Sequence, residues 1–246
     1  MKEKKIWGDL VETADGSMTL RHPEKQEEYH STQGARFEAE ELYIMASGFH
    51  LAMQDGKEEL AVLDVGLGLA YNALSTIQHW WHGAGQRDVS LHSLEVNGDL
   101  VQALADGTAP WMQGWSPEWL QWAQSLRQVS DQLWQANLQH PSKKTLTWTV
   151  RISDAASDPD WNQRGLRFDY VWQDPFSPQK NPEMWTAEWF ARLAATVKPD
   201  ATLVTYSVAR SVRDALTAAG WSWQKLQASG KKRNWLRASL AAIELA

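Results

Sequence analysis

Apolar and polar positions along this 246-residue chain change rhythm several times. Over residues 1–34 no period is sustained; Val11-Glu12-Thr13 and Met18-Thr19-Leu20-Arg21 flank an Asp15-Gly16-Ser17 turn, which predicts a hairpin or irregular backbone. Phe37, Leu42, Met45 and Phe49 recur at roughly helical spacing and predict a helix from Ala35 to Gln54, ended by Asp55-Gly56-Lys57. From there short apolar runs alternate with helical stretches. Leu60–Val65, Val89–Leu94, Leu146–Ile152, Phe168–Trp172 and Ala201–Tyr206 read as strands. Leu69–Trp81, Asp99–Ala105, Pro182–Val197 and Val208–Ala219 read as helices, the last stopped by Gly220. Trp221–Leu226 and Trp235–Leu240 flank Gly230-Lys231-Lys232-Arg233 and read as a closing antiparallel hairpin. Strands alternating with helices predict an α/β fold built on a doubly wound, mostly parallel sheet. A tryptophan-rich segment, about 107–144, interrupts the alternation and is expected to be a helical insert.

Composition narrows the function classes. With no cysteine, a disulfide framework, a thiolate zinc site and a cysteine nucleophile are all excluded. No run approaches the ~18 apolar residues of a membrane span, and the basic N-terminus has no apolar segment behind it, so a cytoplasmic protein without membrane association is expected. The seven histidines are scattered without ligand spacing, and no metal is expected. The net charge of −6 hides a division: residues 198–246 carry +5 and the rest −11, a pattern that fits a polyanionic partner or a solvated basic face. Sixteen tryptophans are unusual, and five of them (Trp111, Trp115, Trp119, Trp122, Trp134) fall within 24 residues.

The chemistry gathers at predicted strand ends. Asp64-Val65-Gly66-Leu67-Gly68-Leu69-Ala70 is a strand-to-helix turn in which Gly66 and Gly68 let a ligand approach the backbone. Tyr71 stands where a nicotinamide fingerprint requires glycine. Glu95 ends the second strand, where a carboxylate can accept hydrogen bonds from a ribose diol or simply be solvated. Asp154 follows the third strand and can receive an adenine amino group or start a turn. Asp174 opens Asp174-Pro175-Phe176-Ser177-Pro178, a loop stiffened by two prolines that can hold a carboxylate for acid–base work. Asn181-Pro182-Glu183 reads as a helix start with Asn181 as N-cap, a structural role.

These motifs resemble the MnmC-type methyltransferases, including the stand-alone MnmD-like members. DPFSPQKNPEMW (Asp174–Trp185) is similar to the family's D-G-F-x-P-x-K-N-P-x-M-W. Around it stand the Asp64–Asn72 turn, Ala201–Ser207, Gly230–Leu236, and the TADGSMTLRHP and YHSTQGARFEAE segments. The resemblance extends from about residue 12 to 240. It implies a class I, Rossmann-like methyltransferase domain over 57–246 behind an N-terminal extension and helix over 1–56. S-adenosylmethionine is then expected over Gly66 and Gly68, with Asp64 and Asn72 in the same site, Glu95 on the ribose and Asp154 near the adenine. Asp174 would stand beside both cofactor and methyl acceptor as the catalytic carboxylate.

The implied reaction is N-methylation of the 5-aminomethyl group of tRNA wobble 2-thiouridine. Lys231, Lys232, Arg233, Arg237 and Arg210 are the candidate phosphate contacts, and the enzyme system that makes the aminomethyl precursor is a candidate partner. The flavin oxidase domain that follows in fused relatives has no counterpart motif here, so oxidase activity is not expected. The chain departs from the family's G-F-G-T-G-L-N loop at Leu69 and Ala70, which put bulk where backbone should meet the methionine moiety. Pro175 and Asn234 replace a usual glycine and glutamate. Two other readings share these residues: a methyltransferase of the same fold acting on a small amine or a protein, and a non-catalytic RNA-binding relative with a degenerate cofactor loop. The Trp115–Leu126 stretch resembles an insert of the family, expected as a helical flap beside the cofactor edge.

Overall fold

The computed structural model describes residues 7–54, 58–83, 87–162, 165–227 and 234–240. Strands β1 (Asp9–Glu12) and β2 (Met18–Arg21) pair antiparallel around the Asp15-Gly16-Ser17 turn. The turn is closed by Asp15, which accepts hydrogen bonds from the Thr13 and Ser17 side chains. A helical unit follows, α1 (Ala35–Glu38) running into a π-helix (Ala39–Ala46), with α2 (Phe49–Ala52) after a break.

Among the described residues, nine further strands form one sheet. They are β3 (Leu60–Val65), β4 (Val89–Glu95), β5 (Arg127–Ser130), β6 (Leu133–Gln139), β7 (Thr145–Ile152), β8 (Phe168–Gln173), β9 (Val197–Thr205), β10 (Ser222–Gln227) and β11 (Asn234–Ser239). Side by side the order is β10-β11-β9-β8-β3-β4-β7-β6-β5. The central run from β9 to β7 is parallel, β11 returns antiparallel to β9, and β6 pairs antiparallel with β7. All six residues of β3 are buried, because helices cover both faces of the sheet there. One face packs against α3 (Tyr71–His82), α4 (Gly98–Asp106), α5 (Pro117–Ala123) and the N-terminal unit; the other packs against α6 (Ala187–Ala194) and α7 (Arg210–Ala218). The predicted doubly wound sheet and closing hairpin are therefore both present. The order reverses beside β3, which places a crevice at its carboxyl end.

Three elements differ from their sequence patterns. Ala35–Gln54 is not one α-helix: its centre is π-helical, and Gly48 at φ +83° ends it before α2. A wider turn buries Leu42, Tyr43 and Ile44 in succession and leaves Met45 43% exposed, which breaks the inward spacing expected of Met45. The insert is helical only in its first half. Residues 127–139 form the β5–β6 hairpin, where Trp134, Ala136 and Leu138 point inward on a two-residue period that interleaved glutamines and asparagine obscure. Pro182–Val197 divides into a 3-10 turn (Pro182–Trp185) and α6, since Thr186 leaves the helix to cap Trp189.

Twelve of the sixteen tryptophans are buried in the core, and Trp7, Trp81, Trp115 and Trp223 are partly buried against it. Trp148 and Trp172 lie under the sheet face with no exposure, their indole N–H groups donating to Ser93 and Thr76. Trp80, Trp189 and Trp221 likewise donate to Arg87 O, Gln173 Oε1 and Phe190 O. Trp115 and Trp119 of the insert donate to Tyr71 and Gln78 of α3. The insert thus packs on α3, and none of its five tryptophans lines either of the two clefts described below.

Candidate functional site

The turn after β3, the end of β4, the turn after β7 and the loop after β8 leave the same edge of the sheet. Together they line a first cleft of about 1010 Å³ counting its open mouth. Gly66, Gly68, Glu95, Asp154 and Asp174 all reach it. Five of the residues singled out in the sequence are therefore brought together.

Each is held by identifiable bonds. Glu95 accepts the Gly68 amide at 2.8 Å through one oxygen and the Val96 and Asn97 amides at 2.9 and 2.8 Å through the other. Burial raises its carboxyl above the usual range while these three donors pull it back. Asp154 is exposed and lines the cleft, and it starts a turn by accepting the Ala156 amide and the Ser157 hydroxyl. Val96, 69% exposed at the mouth beside Glu95, presents an apolar surface that only the structure reveals.

The two glycines line the cleft, and each also lies close to other parts of the chain. Gly66 sits at φ +85°, and a Cβ there would lie 2.8 Å from the Asp174 carbonyl oxygen. A Cβ on Gly68 would lie 3.2 Å from the Tyr29 ring. Gly66 is thus required by the Asp174 backbone crossing over it. Leu69 and Ala70 are fully buried in the core beneath the turn and line neither cleft, so their bulk does not fill the site. Ala70 nonetheless takes φ +70° at the start of α3, a left-handed position where glycine is less strained.

Asp64 and Asn72 stand behind the wall rather than in it. Asn72, 1% exposed, donates from Nδ2 to Asp174 Oδ2 at 2.7 Å and so orients that carboxylate. Asp64 is fully buried, accepts the Ser93 hydroxyl at 2.8 Å, and has an Oδ1 without a partner. Burial lifts its pKa to about 7. A carboxyl whose folded pKa lies above its unfolded value stabilises the fold fully below the unfolded pKa near 3.8, and that contribution is lost as pH rises towards 7. Asp64→Asn, which cannot ionise, is therefore expected to raise the thermal midpoint relative to wild type at pH 8 and to leave it nearly unchanged at pH 4. Thermal unfolding at the two pH values checks this; an equal shift at both would contradict it.

The loop after β8 is fixed from four sides. Trp185 Nε1 donates to Phe176 O, Gln173 Nε2 to Met184 O, and Tyr206 to Pro175 O, while Glu27 accepts both the amide and hydroxyl of Ser177. Trp185 at the end of DPFSPQKNPEMW is thereby tied to the backbone of its start. Asn181 and Glu183, read as a purely structural helix start, line the first cleft and bond to each other.

A second cleft opens on the other side of Asp174. It is lined by Glu27, Glu28, Tyr29, His30, Glu38, Asp174, Phe176, Tyr206, Val208 and Trp235, among others. Tyr29, His30, Asp174, Pro175 and Phe176 belong to both clefts. Burial and the neighbouring Glu38 charge push the Asp174 carboxyl well above the ordinary carboxylate range, against the pull of Tyr43 and Asn72. Sequence reasoning missed Glu38, Tyr43, Tyr29, His30 and Tyr206. Tyr29, His30 and Glu38 lie in the YHSTQGARFEAE segment and Tyr206 in Ala201–Ser207, both part of the resemblance, but no role was read from them; Tyr43 had no signal.

The basic residues are scattered. Arg210 opens α7, exposed and two residues beyond Val208, and faces Asp214 at 3.6 Å. Arg237 on β11 is partly buried and donates to Thr202, away from both clefts. Lys231, Lys232 and Arg233 lie outside the described residues. Among the described residues no group of three potential ligands is placed to hold a metal, and no helix is long and apolar enough to cross a membrane.

Comparison with known proteins bears on these clefts. Residues 117–241 match a family model described as S-adenosyl-L-methionine-dependent methyltransferase. The chain is 32% identical over 222 residues to the tRNA 5-methylaminomethyl-2-thiouridine biosynthesis bifunctional protein MnmC of Azoarcus, covering 85% of this chain and 32% of that protein. Against the protein of the same name from Thiobacillus denitrificans the identity is 30%, covering 87% and 34%. The chain thus spans about a third of the length of these curated relatives. The crystal structure of MnmC2 from Aquifex aeolicus superimposes with a TM-score of 0.75 at 26% identity, over 98% of this chain and 73% of that one.

Proposed function

The chain belongs to the S-adenosyl-L-methionine-dependent methyltransferase family, and from that premise we propose that it N-methylates the 5-aminomethyl group of tRNA wobble 2-thiouridine, giving 5-methylaminomethyl-2-thiouridine. The observation that carries this reading is the meeting of two clefts at one carboxylate, Asp174. Transfer between two bound molecules requires two sites that share a reacting edge.

The first cleft fits the cofactor. Glu95 keeps lone pairs for ribose hydroxyls, and Val96 with Asp154 offers an apolar wall and an acceptor for a base. When bound, S-adenosylmethionine supplies an electrophilic methyl on sulfonium. Everything else falls to the chain. Asp174, oriented by Asn72, accepts a proton from the acceptor ammonium and holds the freed nitrogen in line. Its raised basicity, the product of burial and of Glu38, suits it to take that proton. Phe176 and Tyr29, packed at 4.9 Å, form the partition through which methyl carbon and nitrogen meet.

The substrate reading rests on the named relatives and on the second cleft's charge. Glu27, Glu28 and Glu38 repel phosphates, so an RNA acceptor enters as an extruded base bearing a cation while its backbone stays outside. Arg210 is the described residue best placed for a phosphate; Arg237 would have to release Thr202. Mass spectrometry of wobble nucleosides from cells lacking this chain tests the reading in vivo. Accumulated 5-aminomethyl-2-thiouridine is expected, and an unchanged nucleoside profile would contradict it.

A further inference from the structure

The Thr13–Ser17 turn and the buried Glu38 belong to one device. Ser17 Oγ accepts the amides of Ala35 and Arg36 at 3.1 and 3.3 Å, and Asp15 Oδ2 accepts that of Phe37 at 2.8 Å. These are the amides at the start of α1 that no helical carbonyl can reach, and the hairpin turn satisfies them from outside. The turn thereby fixes α1 so that Glu38 lines the second cleft and not the first. Glu38 is 8% exposed, and its Oε2 accepts the Ser31 amide at 3.2 Å. The π-helix beyond it brings Tyr43, five residues on, to the same Asp174 carboxyl.

A second feature of this cleft points to a ligand. His30 is 6% exposed, lines both clefts, and carries a buried Nε2 with no partner among the described residues. Burial holds its pKa down at about 4, so at neutral pH it offers a hydrogen-bonding group and no positive charge. His22, across the partition, is also held low, by burial and then by Lys25. Beside Glu38 and Asp174 the second cleft is lined by Glu27, Glu28, Tyr29, His30 and Tyr206, with Tyr43 and Asp64 behind Asp174. No Lys or Arg among the described residues lines it: Lys25 stands on the first-cleft side over the Phe176 ring, and Arg21 pairs with Glu28 at 3.6 Å.

Resting on the methyl-transfer reading above, we propose that Glu38 is the acceptor-binding carboxylate: it makes the second cleft select a primary alkylammonium and holds that cation against Asp174, with Asp15 and Ser17 as the residues that position it. One N–H bond of the ammonium breaks and its proton passes to the Asp174 carboxylate. The freed lone pair forms the N–CH3 bond as the S–CH3 bond breaks, its electron pair remaining on sulfur. The products are a secondary ammonium and a thioether, and the Asp174 proton leaves to solvent.

Binding tests this without requiring turnover. The full chain, with S-adenosylhomocysteine present, is titrated with 5-aminomethyluridine and with uncharged 5-methyluridine in a calorimeter. Wild type is expected to prefer the charged nucleoside at least tenfold at pH 7, with the preference fading as pH rises above the amine's own pKa. Glu38→Gln is expected to erase the preference while S-adenosylhomocysteine affinity stays within about twofold, because Glu38 does not line the first cleft. Glu38→Asp should restore part of it, and Asp15→Asn, which loosens α1, should weaken it in the same direction if Glu38→Gln fails to fold. A preference that survives in Glu38→Gln, or wild type with none, overturns the proposal. Wild type that discriminates the nucleosides but methylates no tRNA overturns the proposed function alone.

Discussion

Asp174→Asn is expected to lower kcat for methyl transfer by roughly 10²–10⁴-fold, as when a positioned acid–base group is removed, and to change cofactor affinity less than tenfold. The asymmetry follows from geometry. Asparagine preserves shape and can still accept the Asn72 hydrogen bond that Asp174 Oδ2 accepts at 2.7 Å, so the loop and the first cleft survive. What disappears is a proton acceptor whose basicity burial and Glu38 have raised. The loss should be largest at neutral pH, where an alkylamine arrives protonated, and should shrink at alkaline pH, where the nitrogen lone pair is already free. Steady-state kinetics across pH together with cofactor calorimetry check this. Full turnover in the variant would remove Asp174 from the mechanism, and a parallel collapse of cofactor binding would make its role structural.

Gly66→Ala should be the most damaging small substitution in the site. Two penalties coincide there. The residue sits at φ +85°, and a left-handed conformation costs an L-residue roughly 1–2 kcal/mol. The added Cβ would also lie 2.8 Å from Asp174 O and 3.1 Å from Asp174 C, backbone atoms that cannot swing aside as a side chain would. A combined loss of about 2–3 kcal/mol, or roughly 5–10 °C in thermal midpoint, is expected, with turnover falling further because Asp174 itself is displaced. Gly220→Ala is the control: its φ is +84°, yet nothing lies within 4 Å of the added carbon, so it carries the strain alone and should leave turnover intact. If both variants lose equal stability and Gly66→Ala keeps its activity, the crossing of Asp174 over Gly66 has no functional weight.

The first cleft was legible in the sequence because its signals are local. A buried parallel strand writes itself as an apolar run, and the residues that matter, Gly66, Glu95, Asp154 and Asp174, sit at or just past the ends of such runs. Strand ends share one edge of a parallel sheet, so spacing along the chain becomes proximity in space. The acceptor half obeys no such rule. Glu38 ends α1, and Tyr43 comes to the neighbourhood of Asp174 through the π-helix that follows; a periodicity tuned to α-helices assigned the inward face to Met45, which is in fact exposed. Tyr29 and His30 lie in irregular backbone whose path is set by distant contacts, among them Glu27 with Ser177 and the His30 amide with Thr19. The β5–β6 hairpin was hidden for a different reason: its outward positions are glutamine and asparagine, and its inward tryptophan belonged to a cluster already read as helical. Asp64 and Asn72 show a third limit. Motif position placed them in the cofactor site, while the side chains point behind it, one toward Ser93 and the other toward Asp174.

Leu69 and Ala70 illustrate how a departure from a motif can be harmless to a ligand and still matter to the fold. Their side chains turn into the core beneath the glycine turn, so the first cleft keeps its volume. The effect falls on the backbone instead, at the left-handed start of α3.

The proposed function requires one carboxylate between two clefts to free a wobble aminomethyl nitrogen for methylation by S-adenosylmethionine. Incubating the purified chain with methyl-labelled S-adenosylmethionine and tRNA bearing 5-aminomethyl-2-thiouridine tests it most directly. The expected result is label recovered in 5-methylaminomethyl-2-thiouridine from wild type and not from Asp174→Asn. Label that enters a small amine or a protein, or no label in tRNA from a wild-type chain shown to bind the cofactor, would contradict it.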